Sequence, residues 1–289
     1  MLIALVVAFA WGLNFVVAKI ALDEMPVYVL LSLRFLLTSL PFIFFIPRPK
    51  EISWMHLGAL SLCLYIFMFS FVHGSIAVGL SPGIASLSLQ TQAIFTMVLS
   101  AIIFRSKISG RQITGIGIAF LGILVIGLEQ HGSESFLGFI FILCGAFMWA
   151  ISNILLRSAK HANAFALTIW MGIIPPLPML GAGVYMDSYD SIVEVIQSLS
   201  YKSYLALAYA VIVASWIGTT CWNYLFKKYD ASVVAPYSLL TPIFGITCSW
   251  LLLGERYSLT TMLACFVVLV GLAINQLPGK KVKILSTQT

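Results

Sequence analysis

The sequence predicts an all-α polytopic membrane protein with ten transmembrane helices in two inverted five-helix repeats. Three observations lead to this fold class: an apolar composition, ten apolar stretches of membrane-spanning length, and basic residues confined to alternate loops. Hydrophobic residues make up 61% of the chain and charged residues only 9%, whereas soluble domains average about 45–50% and about 25%. Because a soluble fold cannot bury this much apolar surface, we expect the lipid bilayer to cover part of it.

The spans follow from the length that a helix needs, which is about 20 apolar residues for one crossing. Charged and turn-forming residues divide the chain into ten such stretches: 2–22, 27–46, 55–79, 83–104, 112–128, 136–157, 163–186, 203–226, 231–253 and 259–277. All should be helical, because a backbone exposed to lipid has to satisfy its own hydrogen bonds. No basic region precedes the first stretch, so we expect a retained helix rather than a cleaved signal peptide.

The basic residues predict the orientation. Twelve of 16 lie at one set of alternate span ends: Arg48, Lys50, Arg105, Lys107, Arg111, Arg157, Lys160, Lys227, Lys228, Lys280, Lys281 and Lys283. The opposite ends hold only Lys202 and Arg256, together with the acidic residues Asp23, Glu24, Glu129, Glu134, Asp187, Asp190, Glu194 and Glu255. Since basic loops remain in the cytoplasm, we predict that both termini are cytoplasmic.

An internal repeat divides the chain. Residues 91–127 align with 240–276 at an offset of 149, and Trp11 aligns with Trp149. We therefore predict a first repeat at 1–130, with helices 1 to 5. The second, at 131–289, would hold helices 6 to 10 and a short basic cytoplasmic tail. Because each repeat has an odd number of helices, the second enters the membrane from the opposite side, which is typical of alternating-access transporters.

Several motifs carry a family resemblance. They are Trp11-Gly12-Leu13-Asn14-Phe15 with Lys19, Met25-Pro26, Arg34-Phe35, Arg48-Pro49-Lys50, Ala85-Ser86-Leu87 with Gln90 and Gln92, Trp149-Ala150 with Asn153, Ile174-Pro175, the segment 234–242, and Gly254-Glu255-Arg256. On these motifs the chain resembles the EamA-type transporters of the drug/metabolite transporter superfamily. The resemblance implies a central cavity, a bacterial inner-membrane location, and export of amino acids or derivatives such as cysteine and O-acetylserine. Phe104-Arg105-Ser106-Lys107 departs from the family's Gly-Glu-Arg turn.

Arg34 is the sharpest candidate for a substrate-binding residue. It lies eight residues past Pro26, about 12 Å along the helix, where a charge costs about 3 kcal/mol. No acidic residue lies at that depth in any predicted span. Arg34 therefore either binds a substrate carboxylate or braces helices through backbone carbonyls.

Four more candidates come from the first and sixth predicted helices. Trp11 and Asn14 share one helix face, and Trp149 and Asn153 recur four residues apart in the second repeat. Their amide and indole groups suit a zwitterion or a hydroxyl, and they equally suit hydrogen bonding between helices.

The fourth and ninth predicted helices supply Gln90, Tyr237 and Ser238 as substrate-binding candidates. Gln90 and Gln92 are about 200° apart on a helix, so we expect only one of them to line the cavity centrally. Lys19, His73, Trp170, Trp222 and Thr241 are assigned gating or secondary roles. For Lys19 the alternative is snorkelling beside Asp23, and for His73 it is a structural hydrogen bond.

These residues indicate a secondary transporter that works by alternating access, with no cofactor and no metal. No acidic residue within the spans supports proton antiport, so exchange or facilitated efflux fits the charges better. Alternatives are multidrug, purine or nucleotide-sugar carriage and, more remotely, a membrane-embedded enzyme. We expect a small-molecule substrate and membrane lipid as partners, no nucleic acid, and a chain able to act as a monomer.

Overall fold

A computed structural model describes residues 2–105, 108–130, 135–159, 162–229 and 234–276, and every regular element in these ranges is helical. Several features named above lie outside them: the tail at 277–289, the first residues of the ninth predicted stretch, and the loop residues Lys107, Glu134 and Lys160. The α-helices are α1 Leu2–Leu22, α2 Val27–Ile43, α3 Trp54–Leu60, α4 Phe69–Ala77, α5 Pro82–Ser88, α6 Gln92–Phe104, α7 Gly110–Gln130, α8 Ser135–Leu156, α9 Ala164–Gly172, α10 Pro176–Asp187, α11 Tyr189–Ser198, α12 Tyr201–Ala208, α13 Gly218–Lys228, α14 Leu240–Leu253 and α15 Leu259–Gln276.

Some of these helices are continued by segments of different pitch. The π-helical segments Ser61–Met68 and Tyr209–Ile217 join α3 to α4 and α12 to α13. The 3₁₀ turns are Leu89–Thr91, Arg157–Ala159 and Ala235–Leu239. Such segments are uncommon inside long helices and are frequent at functional sites.

The described chain is a multi-pass membrane protein by length and composition of its helices. Seven helical stretches in the described ranges are long and apolar enough to cross a bilayer: Leu2–Leu22, Trp54–Ala77, Pro82–Phe104, Gly110–Gln130, Ser135–Leu156, Ala164–Asp187 and Tyr201–Trp222. Three shorter apolar helices cover Val27–Ile43, Tyr237–Leu253 and Leu259–Asn275.

Polar side chains fix several helix starts. The Ser53 hydroxyl accepts a hydrogen bond from the His56 backbone N–H at 3.2 Å, and Asn163 Oδ1 accepts one from Phe165 at 2.9 Å. Ser81 precedes α5, whose first residue is Pro82. These are favoured N-cap and N1 residues because they satisfy, or do not require, the free N–H groups of the first turn.

The segment 187–202, which lies between two predicted spans, contains the helix α11. Ile192 is only 3% exposed, and Val195 and Leu199 pack against the cluster formed by α1, α2 and α12. Asp190 and Glu194 lie on the same short helix. Its apolar residues recur every three or four positions, but the helix has only ten residues and includes two acidic ones. The sequence therefore did not predict this helix.

The helices α7 and α15 pack closely and antiparallel. A Cβ atom on Gly122 would lie 2.8 Å from the Ala264 carbonyl oxygen, and one on Gly271 would lie 2.7 Å from that of Gly115. Adding 149 to each residue of one contact gives the residues of the other. Only glycine permits this approach, since a side chain at either position would overlap the backbone of the other helix.

Two further backbone features recur at nearly the same offset. The π-helical segments begin at Ser61 and Tyr209. The helices α6 and α14 end in left-handed residues, Arg105 with φ 51° and Gly254 with φ 68°. Where the sequence departs from the Gly-Glu-Arg turn, Arg105 therefore adopts the backbone conformation that Gly254 adopts in the other half.

Candidate functional site

A central cavity of about 560 Å³ lies among the helices. Its walls come from α1, α2, α4, α5, α6, α8, α9, α13, α14, the two π-helical segments and the 3₁₀ turns Leu89–Thr91 and Ala235–Leu239, and they are mostly apolar and aromatic. Ten of the thirteen predicted site residues line it: Trp11, Asn14, Arg34, His73, Gln90, Trp149, Asn153, Trp222, Ser238 and Thr241. Lys19, Trp170 and Tyr237 are not among the wall residues.

Arg34 is the one Lys or Arg in the described wall of the cavity. It is 5% exposed, its Nη2 donates to Ser215 Oγ at 3.4 Å, and its guanidinium lies 4.8 Å from the ring centroid of Phe69. Its Nε has no hydrogen-bond partner. No Asp or Glu is found in the described wall, so the cation is held by a hydroxyl and an aromatic face without a counterion.

A second, small pocket of about 10 Å³ is lined by Arg34, Asn14 and His73, which also line the cavity. Asn14 Oδ1 is buried and has no partner. His73 Nδ1 lies 3.0 Å from the Phe69 carbonyl oxygen, so this nitrogen carries the proton and the ring is held in one orientation. Asn14 and Arg34, which carry a buried unsatisfied acceptor and a buried unsatisfied donor, therefore both line this small pocket.

Other predicted site residues use their polar groups for hydrogen bonds to neighbouring helices. Asn153 Nδ2 donates to Gln92 Oε1 at 2.8 Å and to Thr96 Oγ1 at 3.1 Å, which ties α8 to α6. Gln90 Nε2 donates to the Ser238 carbonyl at 3.1 Å. These contacts are the interhelix hydrogen bonds that the sequence allowed as an alternative to substrate binding.

Trp11 also makes an interhelix bond, because its Nε1 donates to the Ala214 carbonyl at 3.0 Å. Its ring packs against Trp222, with centroids 5.2 Å apart. The two indoles thus form an aromatic wall of the cavity. The Trp11 N–H already donates a hydrogen bond to the Ala214 carbonyl.

The three predicted residues outside the cavity have other partners. Lys19 Nζ pairs with Asp23 at 2.6 Å, and the two side chains are 39% and 55% exposed. Trp170 Nε1 donates to the Ile46 carbonyl at 2.9 Å, and Tyr237 packs beside a buried cluster of Ala4, Leu225 and Val234.

Several wall residues were missed from the sequence. Gln92 lines the cavity together with Gln90. The two were expected to lie about 200° apart, with only one lining the cavity centrally, and the 3₁₀ turn Leu89–Thr91 changes the angle between them. Ser215, which bonds Arg34, lies in the second π-helical segment. Helical periodicity assumes a regular α-helix, so it could not predict that Gln92 and Ser215 face the cavity.

Carboxylates outside the spans are bound by hydroxyls. Glu24, between α1 and α2, accepts hydrogen bonds from Ser200 Oγ and Ser203 Oγ, each at 2.6 Å. These bonds, those of Ser200 first, hold the pKa of the Glu24 carboxyl below its ordinary value. Glu255 likewise accepts bonds from Ser81, Ser249 and Tyr257. The bonds of Glu24 to Ser200 and Ser203, and that of Glu255 to Ser81, join parts of the chain that are distant in the sequence.

Comparison with known proteins identifies the family. The model of the EamA-like transporter family matches residues 1–128 and 136–276. The chain belongs to the EamA-like transporter family.

Individual EamA relatives align over nearly the whole chain. A protein of Escherichia coli named "Probable amino-acid metabolite efflux pump" is 35% identical over 279 residues, covering 94% of this chain and 93% of its own. A Salmonella typhimurium protein of the same name is 36% identical over 282 residues, with the same coverage. A crystal structure with 14% identity superposes with a TM-score of 0.63 over 95% of each chain, which indicates a shared fold.

Proposed function

We propose that this EamA transporter exports amino acids or their derivatives, with Arg34 binding the substrate carboxylate. The observation that carries the proposal is the buried Arg34, which faces a cavity of about 560 Å³ without a described counterion. A guanidinium matches a carboxylate in geometry and charge. The names of the Escherichia coli and Salmonella relatives support amino-acid metabolites as the class of cargo.

The proposed topology has ten crossings in two inverted repeats. The three shorter apolar helices coincide with predicted spans, and a helix of 17 residues is within the range that crosses a bilayer. The reciprocal contacts of α7 with α15 support a two-fold relation between 1–130 and 131–289, and the two stretches matched by the family model support the same division. The basic residues favour an inner-membrane protein with both termini cytoplasmic.

The transport step is proposed to be exchange or facilitated efflux by alternating access. Proton antiport normally uses a carboxylate within the membrane, and the described wall of the cavity contains neither Asp nor Glu. Substrate held in excess inside vesicles should therefore leave when only the pH gradient is collapsed. Loss of efflux in that condition would favour proton coupling.

Carriers of nucleotide sugars or other polyphosphates are the weaker alternative, because one arginine in the described wall balances a single negative charge. Multidrug or purine transport requires no carboxylate site, so it leaves the buried Arg34 unexplained. We propose no enzymatic reaction for the cavity.

Efflux from proteoliposomes tests the proposal. Vesicles loaded with cysteine, O-acetylserine, threonine or phenylalanine are compared for the native protein, Arg34→Gln and the matched variant Arg256→Gln, whose arginine is exposed in the loop after α14. We expect efflux of at least one amino acid by the native protein and by Arg256→Gln, and its loss in Arg34→Gln. Equal efflux by Arg34→Gln, or no amino-acid movement by folded native protein, contradicts the proposal.

A further inference from the structure

We infer that the cavity prefers monoanionic carboxylates whose nitrogen is acylated, such as N-acyl amino acids, over zwitterionic amino acids. This inference rests on the proposed role of Arg34 and specifies the charge state of its ligand. It comes from three properties of the described residues: the net charge of the wall, the unsatisfied polar atoms, and the size and character of the remaining space.

The net charge of the described wall is that of Arg34 alone, since the wall contains no other Lys or Arg and no Asp or Glu. A ligand with one carboxylate and no ammonium brings the occupied cavity to neutrality. A zwitterion adds an ammonium that no carboxylate of the wall can pair, and so it leaves one uncompensated positive charge among apolar side chains. Such a charge is costly when water is excluded. Charge balance therefore favours the anion.

The unsatisfied atoms match the same ligand. Arg34 Nε is a buried donor without a partner, and Asn14 Oδ1 is a buried acceptor without one. Both residues line the main cavity and the small second pocket of about 10 Å³. Each of the two atoms exposes less than 1 Å² of surface, so a ligand reaches them once these side chains turn toward it. An N-acyl amino acid carries a carboxylate that accepts from Arg34 and, one carbon away, an amide N–H that donates to Asn14. A neutral donor suits a neutral carboxamide, whereas an ammonium would require more acceptors than Asn14 supplies.

The size and character of the cavity leave room for the acyl group and a large side chain. Its volume of about 560 Å³ is within the range of roughly 300–1,000 Å³ that encloses drug-sized ligands. Aromatic residues supply much of the wall, including Trp11, Phe35, Tyr65, Phe69 and Trp222. A small polar amino acid would leave most of this surface without contact. An apolar acyl group or an aromatic side chain would cover it.

Four ligands that share a phenyl group test the inference: N-acetylphenylalanine, phenylalanine, 3-phenylpropionate and phenethylamine. Binding is measured on purified protein in nanodiscs by the fluorescence of the tryptophans in the wall, and transport by counterflow in proteoliposomes. We expect N-acetylphenylalanine to bind tighter than phenylalanine by roughly 30-fold or more, the size of effect that an unpaired buried charge produces. We expect 3-phenylpropionate to bind and phenethylamine not to bind.

Variants of two residues separate charge from shape. Arg34→Gln should abolish the preference for anions, and Arg34→Lys should retain it at lower affinity. Asn14→Asp supplies the missing carboxylate, so it should reverse the order and make phenylalanine the better ligand. Arg256→Gln, which alters an exposed arginine, should behave as the native protein does.

The possible failures are distinguishable. If phenylalanine binds as tightly as N-acetylphenylalanine, or is transported while the acylated form is not, the inference is wrong and the proposed export of amino acids stands. If no carboxylate binds to native protein that is folded and monodisperse, both proposals are wrong. An unchanged ligand order in folded Asn14→Asp would also overturn the inference, because the order would then not depend on charge balance.

Discussion

Two polar regions of the cavity differ in how their hydrogen bonds are used. In the amide cluster, formed by Asn153, Gln92 and Thr96, the Asn153 amide nitrogen bonds both partners across α6 and α8. In the arginine region, formed by Arg34 and Asn14, the guanidinium Nε and the carboxamide Oδ1 have no partner. Leaving buried polar groups unsatisfied costs stability, so a fold that retains them needs a reason. The difference supports our proposal that the amide cluster holds helices together and that the arginine region binds ligand.

The contact that Gln92 makes also differs in kind from the contact at the position 149 residues later. Adding 149 to Gln92 gives Thr241, and the helix there packs against α1 instead of α8. A Cβ atom on Gly12 would lie 2.6 Å from the Thr241 carbonyl oxygen, so this contact is made by closely packed backbone. The first contact depends on side-chain hydrogen bonds and the second on the absence of a side chain.

Among the variants that test the difference between the two regions, replacing Arg34 with methionine should have the largest effect. Affinity for a carboxylate ligand should fall roughly 30- to 1,000-fold, because a buried charged partner is lost. The free energy of unfolding should not fall and can rise by up to about 3 kcal/mol, because an unpaired charge leaves the membrane interior. Ligand fluorescence titration and unfolding in mixed micelles with sodium dodecyl sulfate measure the two quantities.

Arg256→Met is the matched control for this variant, since the same change in an exposed loop should alter neither quantity. A large loss of stability in Arg34→Met would mean that the arginine braces the helices, which is the structural role that the sequence left open.

Replacing Asn153 with leucine should have the opposite effect: stability should fall and ligand affinity should stay nearly unchanged. Gln92 Oε1 and Thr96 Oγ1 would lose the donor that Asn153 provides, so the free energy of unfolding should fall by about 1–3 kcal/mol. Affinity for a carboxylate should change little, because Arg34 and Asn14 are untouched. Thr96→Ser keeps the hydroxyl and is the control for the cluster. A loss of affinity as large as that of Arg34→Met would place Asn153 in the binding site.

Much of the fold could be predicted because apolar length and loop charge are local properties of the sequence. The absence of an acidic partner for Arg34 was also visible, since no predicted span carried one at that depth. The partnership of Asn153 with Gln92 was not visible, because it depends on α8 lying beside α6. Irregular pitch was equally hidden: the turn Leu89–Thr91 and the π-helical segment that holds Ser215 change which residues face the cavity.

Glu24 extends the comparison outside the membrane, where we expect the smallest effect. Its carboxylate accepts bonds from Ser200 and Ser203, and these bonds lower its pKa below the ordinary value. A carboxyl with a lowered pKa stabilises the fold above its unfolded pKa, and this contribution is lost as the pH falls through the folded pKa. The native protein should therefore lose more stability than Glu24→Gln when acidified from about pH 6 to pH 3, a range that spans the ordinary Glu value. Thermal unfolding in nanodiscs across this range measures the difference, with Asp23→Asn as the neighbouring control. If the stability of native protein and of Glu24→Gln changes with pH in the same way, a polar group can be fully hydrogen-bonded and still contribute nothing to the stability of the fold. In that case hydrogen-bond satisfaction alone would not identify the amide cluster as structural.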